Sequence, residues 1–179
     1  MDFTEELLPG AWLVKLRRID DARGHFVKTY ARSVFEQAGV VIEHAESFYS
    51  LSNRNVIRGM HFQVPPRDHA KLVYCPAGAL LDVLLDLRPG PGFGRSARVV
   101  LSAEEPRLVL LPPGIAHGFR ALQDGTVAVY HTSTEHSPAH DQGVRWDSFG
   151  MDWGLGDAPA IVSARDQAHP SLRDFASPF

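Results

Sequence analysis

Four short segments of the sequence carry side chains that can move protons or hold charged ligands. They are residues 58–63 (Arg-Gly-Met-His-Phe-Gln), 69–73 (His-Ala-Lys-Leu-Val), 112–119 (Pro-Pro-Gly-Ile-Ala-His-Gly-Phe) and 163–166 (Ser-Ala-Arg-Asp). Histidine can act as a general base near neutral pH, a carboxylate can fix its tautomer, and an ammonium can stabilise a developing oxyanion. Taken singly, each residue is more typical of ordinary structure, such as a hydrogen-bonded strand histidine or a capping aspartate. A catalytic interpretation therefore needs the segments in combination.

A metal site is the first alternative to proton chemistry. His61 and His117 belong to different predicted strands and could share one metal inside a barrel. A typical site needs at least three protein ligands, and the sequence offers only these two. We therefore predict no metal.

The segments must be positioned by a mostly β fold. In residues 81–87 every odd position is apolar, and Asp82 and Asp86 occupy even ones, which predicts a half-buried strand. Only residues 31–38, closed by Gly39, predict a helix. Runs rich in branched and aromatic residues recur between turn residues, at 12–16, 26–30, 56–62, 72–76, 80–87, 98–101, 108–111 and 127–132. Such a series predicts a closed barrel or sandwich, and we favour a jelly roll.

The alternation of side chains along a strand gives an expectation for the first chemical segment. Arg58 and Met60 should point to one side of the strand, and Gly59, His61 and Gln63 to the other.

Composition excludes several classes of protein. A chain of 179 residues without repeats or linkers predicts a single domain over residues 1–179. The net charge of −3 and the absence of a Lys/Arg run argue against nucleic-acid and membrane-surface partners. Cys75 is the only cysteine, the first residues are acidic rather than signal-like, and the apolar runs are too short for a membrane span. We expect a cytoplasmic protein.

The chemical segments fall into a larger collinear pattern. It comprises Asp-Ala-Arg-Gly-His-Phe at 21–26, Val-Ile-Arg-Gly-Met-His-Phe-Gln at 56–63, Lys-Leu-Val at 71–73, Asp-Val and Asp-Leu-Arg within 82–88, Pro-Gly-Ile-Ala-His-Gly-Phe at 113–119, and Ser-Ala-Arg-Asp at 163–166. The Arg-Gly-x-His and Pro-x-Gly-x-x-His-Gly-Phe blocks are specific in combination. Over nearly its whole length the chain resembles the dTDP-4-dehydrorhamnose 3,5-epimerase family.

The resemblance implies a metal-free double-stranded β-helix, a cupin-like jelly roll with one or two short helices. It implies a homodimer that acts on 4-keto-6-deoxy nucleotide sugars. It places the catalytic base at His61, its carboxylate partner at Asp166, the opposing proton donor at Tyr130 and a catalytic lysine at Lys71. Substrate contacts are implied at Arg23, Glu46, Phe48, Arg58, Lys71, His117, His136, Asp141 and Arg165.

The implied chemistry is consistent with these residue types. Hydrogens on carbons beside a ketone are acidic because the carbanion delocalises into an enolate. Histidine is well matched to remove one, a carboxylate on its other ring nitrogen stabilises the imidazolium, and lysine stabilises the enolate oxygen. Inversion needs a donor on the opposite face, which a phenol supplies. Nothing in this scheme requires a cofactor.

The chain departs from the family pattern around substrate recognition. His136 stands where the family commonly has a tyrosine that stacks on thymine, Glu46 and Phe48 replace a Gln-x-Asn pair, and Lys28 replaces a glutamate. The reaction type is therefore better supported than the substrate. Thymidine or cytidine as the nucleotide, and inversion at C3, C5 or both, stay open.

Other functions compete with this interpretation. A CDP-4-keto-dideoxyhexose 5-epimerase is one alternative, and a sugar 3,4-ketoisomerase, which moves a proton between C3 and C4, is another. A non-catalytic sugar-binding cupin does not need a carboxylate to orient a base, and a metal-dependent oxygenase lacks its ligands.

Overall fold

The computed structural model describes residues 1–179, most of which lie in strands or in the turns that join them. The strands are β1 (Asp2–Leu8), β2 (Ala11–Lys15), β3 (Arg18–Asp21), β4 (Gly24–Val27), β5 (Glu46–Ser52), β6 (Val56–Gln63), β7 (Lys71–Ala77), β8 (Ala79–Asp86), β9 (Ser96–Ser102), β10 (Arg107–Leu111), β11 (Ile115–Ala121), β12 (Thr126–Thr132), β13 (Asp141–Gly143) and β14 (Ile161–Val162). The helices are α1 (Arg32–Gln37), α2 (Ala164–Gln167) and a 3-10 turn at Leu172–Asp174.

Two sheets face each other and enclose the main core. One has the order β1-β2-β10-β7-β12-β5, and the other has the order β13-β6-β11-β8-β9, with β14 beside β6. Strands β3 and β4 form a separate hairpin. Neighbours within the two sheets are antiparallel except for β14 and β6. This is a jelly roll, as predicted, with two short helices.

The outer faces of both sheets are covered as well, so several strands are buried on both sides. Phe35 of α1 packs on the outer face of the first sheet, while Trp146, Phe175 and other residues of the C-terminal segment pack on that of the second. The core between the sheets contains residues from both, among them Val73, Leu84, Val109 and Phe119.

The prediction that β8 is half-buried is wrong for this reason. Asp82 and Asp86 do not face solvent; both are buried and paired, Asp82 with His117 and Asp86 with Arg88. The alternation of apolar and polar residues is present in β8, but its polar positions face the interior and find hydrogen-bond partners there.

The other predicted strands overlap observed ones, and the helix predicted at 31–38 corresponds to α1 (Arg32–Gln37). Strands β1, β3, β5, β11, β13 and β14 were not among the predicted runs. Strand β5 ends its sheet and is largely exposed, so no alternating apolar pattern marks it. No helix is long and apolar enough to cross a membrane.

Candidate active site

A cavity of about 280 Å³ opens at the inner faces of β5, β6, β7, β11 and β12. Every predicted site residue except Arg23 and Asp166 lines it, namely Glu46, Phe48, Arg58, His61, Lys71, His117, Tyr130, His136, Asp141 and Arg165. Asp166 lies just behind His61, in an adjoining cavity that both residues line. The fold thus gathers side chains that are up to 120 positions apart in the sequence, from Glu46 to Asp166.

A bulge in β6 changes the expected orientation of Arg58. His61 pairs with His117, but Arg58 pairs with Phe119, so Gly59 and Met60 together oppose the single residue Gly118. The extra residue shifts the alternation, and Arg58 lines the same cavity as His61. The prediction that they point to opposite sides is wrong.

Gly59 makes that bulge possible. Its φ of +130° is disfavoured for residues with a side chain, and a β carbon at this position would lie 2.5 Å from the Cα of Gly118.

His61 and Asp166 form a hydrogen-bonded pair. The His61 Nε2 lies 2.8 Å from Asp166 Oδ1, and the Gly59 N–H donates to Asp166 Oδ2 at 3.1 Å. Asp166 belongs to the four-residue helix α2, whose N-cap Ser163 accepts the Asp166 N–H through its hydroxyl. Burial opposes ionisation of Asp166, but the contacts with His61 and Gly59 hold its pKa below the ordinary value. An ionised carboxylate only accepts, so His61 carries a proton on Nε2, and in the neutral imidazole the lone pair then lies on Nδ1.

Lys71 is a buried cation beside this pair. Its Nζ donates to the His61 carbonyl oxygen at 3.1 Å, and its side chain lines the cavity. Burial lowers its pKa to about 8, although Asp141 and Asp82 favour the charged form. At neutral pH the ammonium persists and can stabilise negative charge on a substrate oxygen.

Tyr130 is held between two rings. Phe48 stacks on it with centroids 4.8 Å apart and planes 15° apart, and His117 contacts it edge-on at 5.7 Å. Burial strongly raises the pKa of Tyr130, so its phenol stays protonated and can serve as a donor. His117 is itself fixed by Asp82, whose Oδ1 lies 2.6 Å from His117 Nε2.

The remaining cavity residues form a polar wall near the loop before β13. The Glu46 carboxylate accepts the backbone N–H of His136 at 2.6 Å, and Asp141 forms an ion pair with Arg165 at 2.6 Å. The His136 side chain is 54% exposed and lies 3.9 Å from Asp141. Its ring is therefore accessible to a bound ligand.

Arg23 is the one predicted substrate contact that lies away from the cavity. It follows β3 in the turn of the β3–β4 hairpin, is 89% exposed, and pairs with Asp21 at 2.6 Å. It does not line the cavity of its own chain.

Two histidines of the site were not predicted. His69 lines the cavity, and burial lowers its pKa to about 3, with the charges of Lys71 and His136 adding to the effect. His169 lies behind His61, with its Nε2 3.8 Å from Asp166 Oδ1. Sequence features could have pointed to both histidines. His69 stands two residues before Lys71 on the way into the same strand, and His169 stands three residues after Asp166, one turn further along the chain.

His169 also bears on metal binding. Ligand atoms of His61, Asp166 and His169 all lie within 4.8 Å of one another, so the chain offers a third ligand that the sequence prediction did not count. His117 is not part of this group and pairs with Asp82 instead. A metal-free reaction stays a prediction.

Comparison with known proteins agrees with this arrangement. The family model described as dTDP-4-dehydrorhamnose 3,5-epimerase matches residues 5–174. The enzyme of that name from Shigella flexneri is 34% identical over 157 residues, covering 86% of this chain and 87% of its own. The structure of the RmlC epimerase of Mycobacterium tuberculosis has a TM-score of 0.92 at 35% identity, covering 97% of this chain and 90% of that one.

A second solved structure is that of ChmJ, a 3'-monoepimerase from Streptomyces bikiniensis in complex with dTDP-quinovose. It has a TM-score of 0.87 at 32% identity, covering 92% of this chain and 84% of that one. The family match spans most of the chain, and the relatives are epimerases. The chain therefore belongs to the dTDP-4-dehydrorhamnose 3,5-epimerase family.

Proposed function

We propose that this protein inverts C3, C5 or both of a nucleotide-linked 4-keto-6-deoxyhexose, without a metal or other cofactor, in deoxysugar biosynthesis. The observation that carries the proposal is the His61–Asp166 pair, at 2.8 Å, beside a cavity that Lys71 and Tyr130 also line. A base, an oxyanion-stabilising cation and a protonated phenol are the three groups that the reaction needs.

The proposed reaction has two steps. His61 Nδ1 removes the proton from a carbon beside the ketone, and the C–H electron pair moves into the enolate. Asp166 stabilises the resulting imidazolium, and Lys71 stabilises the enolate oxygen. Tyr130 then gives its proton to the opposite face of the same carbon, and the imidazolium and the phenolate return to their starting states by proton exchange through solvent. Inversion follows because removal and return use different groups.

Tyr130→Phe separates these steps. The phenyl ring keeps the stack on Phe48 and the contact with His117, but it has no proton to donate. We expect hydrogen exchange with solvent to continue, because His61 can return a proton to the face it came from, while inversion falls strongly. Deuterium incorporation and product configuration, followed by NMR on dTDP- and CDP-linked 4-keto-6-deoxy sugars, measure both.

Inversion at the wild-type rate in Tyr130→Phe would assign the donor role elsewhere, with His136 the first candidate. Failure of the wild type to exchange or invert any sugar of the panel would contradict the proposed function. Deuterium moving between C3 and C4 without inversion would instead indicate a ketoisomerase.

The departures from the family pattern at Glu46 and His136 favour a weaker preference for thymidine over cytidine in the nucleotide. Imidazole covers less of a base than a phenol ring does, and base stacking contributes roughly 1–3 kcal/mol. Only one Glu46 oxygen accepts the His136 N–H, and the other can accept from an exocyclic amino group, which cytosine has and thymine lacks.

We therefore expect discrimination against CDP to be weaker than in thymidine-specific relatives. The Glu46→Gln/His136→Tyr variant should recover a preference for dTDP. Equilibrium binding of dTDP and CDP to the wild type and to the double variant tests this expectation, with each single variant as a control. A strong wild-type preference for dTDP that neither change alters would remove the idea.

A homodimer is also proposed. Tyr49 and Leu51 are 70% and 59% exposed on β5, at the edge of the first sheet, and Ile19 and Phe26 are 48% and 59% exposed on the β3–β4 hairpin. Exposed apolar side chains on an unpaired edge favour association. In a dimer, Arg23 would be able to contact substrate bound to the other chain. A solution mass of 19.8 kDa by light scattering, that of one chain, would contradict this.

We further propose a single domain over residues 1–179 and a cytoplasmic location. The first is supported by the family match over residues 5–174, and the second by a lone cysteine, Cys75, that is free and buried.

A further inference from the structure

His169 lies next to the catalytic pair, and the proposed reaction gives it no role. Its Nε2 is buried without a hydrogen-bond partner, although Asp166 Oδ1 is only 3.8 Å away. Its ring contacts that of His61 edge-on, with centroids 5.9 Å apart. Buried polar atoms are almost always paired, so this nitrogen calls for an explanation.

The backbone makes room for this imidazole. The ring packs against Gly143, which pairs with His61 across β13 and β6. A β carbon on residue 143 would collide with Nε2 and would lie 2.5 Å from Cδ2 of the ring. The glycine therefore allows His169 to lie directly behind the catalytic pair.

We propose that His61, Asp166 and His169 form a binding site for Zn²⁺, and that zinc bound there inhibits the enzyme. The proposed site has two imidazole nitrogens and one carboxylate oxygen, a donor set that suits zinc and leaves a fourth position for water. All three ligand atoms lie within 4.8 Å of one another. Zinc bonds of about 2.0–2.2 Å set neighbouring ligand atoms roughly 3.3 Å apart, which small side-chain rotations can reach.

The surroundings permit a cation at this place. Asp166 brings a negative charge, and the nearby Arg165 guanidinium is engaged by Asp141 at 2.6 Å. His61 is 31% exposed and, with Asp166, lines the adjoining cavity, which gives an ion a route from solvent.

Inhibition follows from the tautomer of His61, and this part rests on the proposed function. Without zinc, Nε2 carries the proton and Nδ1 carries the lone pair that accepts hydrogen from the substrate. Zinc binds Nε2 through a lone pair on that nitrogen, so Nε2 must give up its proton, and the neutral ring then carries its proton on Nδ1. The imidazole stays neutral, but the nitrogen that faces the reaction is no longer a base. Asp166 becomes a zinc ligand and no longer orients His61.

Zinc alone is the probe. The chelated wild-type protein is titrated with zinc chloride against a chromophoric chelator, which gives stoichiometry and affinity without any substrate. His169→Ala removes the ligand, and His169→Phe also removes it but keeps a ring against Gly143. His25→Ala, an exposed histidine on β4, is the matched control. Magnesium, which prefers oxygen ligands, is the control ion.

We expect one zinc per chain in the wild type and in His25→Ala, and an affinity lower by more than about tenfold in both His169 variants. The zinc-free enzyme should be active, zinc should suppress deuterium exchange, and excess chelator should restore it. Each His169 variant, compared with its own zinc-free rate, should resist zinc.

Equal zinc affinity in the wild type and in a folded His169 variant, or no zinc binding by the wild type, would overturn the proposal. Zinc that binds through His169 without slowing exchange would overturn its inhibitory part. If zinc binds through His169 but the zinc-free protein exchanges hydrogen on no sugar of the panel, the zinc site is supported and the proposed epimerase function is contradicted.

Discussion

Replacing His61 by alanine is expected to abolish both solvent exchange and inversion, because no proton leaves the sugar without a base.

Asp166→Asn is the sharper test, since it replaces one carboxylate oxygen by an amide nitrogen and keeps the shape of the side chain. The Gly59 N–H requires an acceptor, so the amide oxygen should face Gly59 and the amide nitrogen should face His61. The amide then donates to Nε2, and the ring proton moves to Nδ1, where it blocks proton abstraction.

We expect Asp166→Asn to lower kcat by about 10⁴, the effect of the same change in a hydrolase triad. Steady-state inversion and single-turnover exchange measure it, and thermal unfolding checks that α2 remains docked. His44→Ala serves as the control, because His44 is exposed in the loop before β5 and lies outside the cavity. A variant within tenfold of the wild type would mean that His61 does not act through Asp166, or that it is not the base.

Lys71→Met is expected to make the protein inactive and more stable at the same time. Burial lowers the pKa of Lys71 to about 8 from its ordinary value of 10.5, so below pH 8 the folded protein holds a buried charge that water would solvate better. The difference corresponds to about 3 kcal/mol. Methionine has a similar length and no charge, so we expect it to stabilise the fold at pH 7 by up to this amount, less the lost bond to the His61 carbonyl.

The pH dependence gives this prediction its sign. Between pH 8 and 10.5 the unfolded wild type binds more protons than the folded one, so wild-type stability should rise through that window relative to Lys71→Met. Urea unfolding of both proteins at pH 7 and pH 10 measures the difference. Wild-type activity should fall above pH 8 as the ammonium is lost. A methionine variant that is less stable at pH 7, or that keeps its activity, would contradict the role given to Lys71.

The sequence predicted those parts of the fold that follow from local pattern. The runs at 56–62, 72–76 and 127–132 overlap β6, β7 and β12, because buried strands are rich in branched residues whichever sheet they join. Burial on two faces was not predictable from the alternation in β8, since a paired interior aspartate and a solvated one look alike in sequence. Strand β5 was missed because an exposed edge strand needs no apolar period.

The candidate site shows the same division. Most cavity residues were named, but their selection depended on the resemblance, because no local rule connects Asp166 with His61, 105 positions away. The bulge at Gly59 reversed the expected side of Arg58, because one extra residue shifts the alternation of side chains. A glycine within a strand suggests a bulge but does not fix the position of the extra residue. His169 was missed because it lies in the C-terminal segment after α2, and the packing of that segment against β6 and β13 cannot be predicted from local pattern.

The position of Asp166 has a consequence for how the active site is completed. The strands β5 to β12, which end at Thr132, carry His61, Lys71 and Tyr130, whereas Asp166 comes from the 47 residues that follow. The carboxylate arrives on a short helix in the tail, held near β6 partly by the contacts of Phe175 and Phe179 with Phe62. Without this segment, His61 has no carboxylate on its Nε2, and the cavity lacks the Asp141 and Arg165 side chains that line it. Catalytic competence therefore depends on the docking of the C-terminal segment.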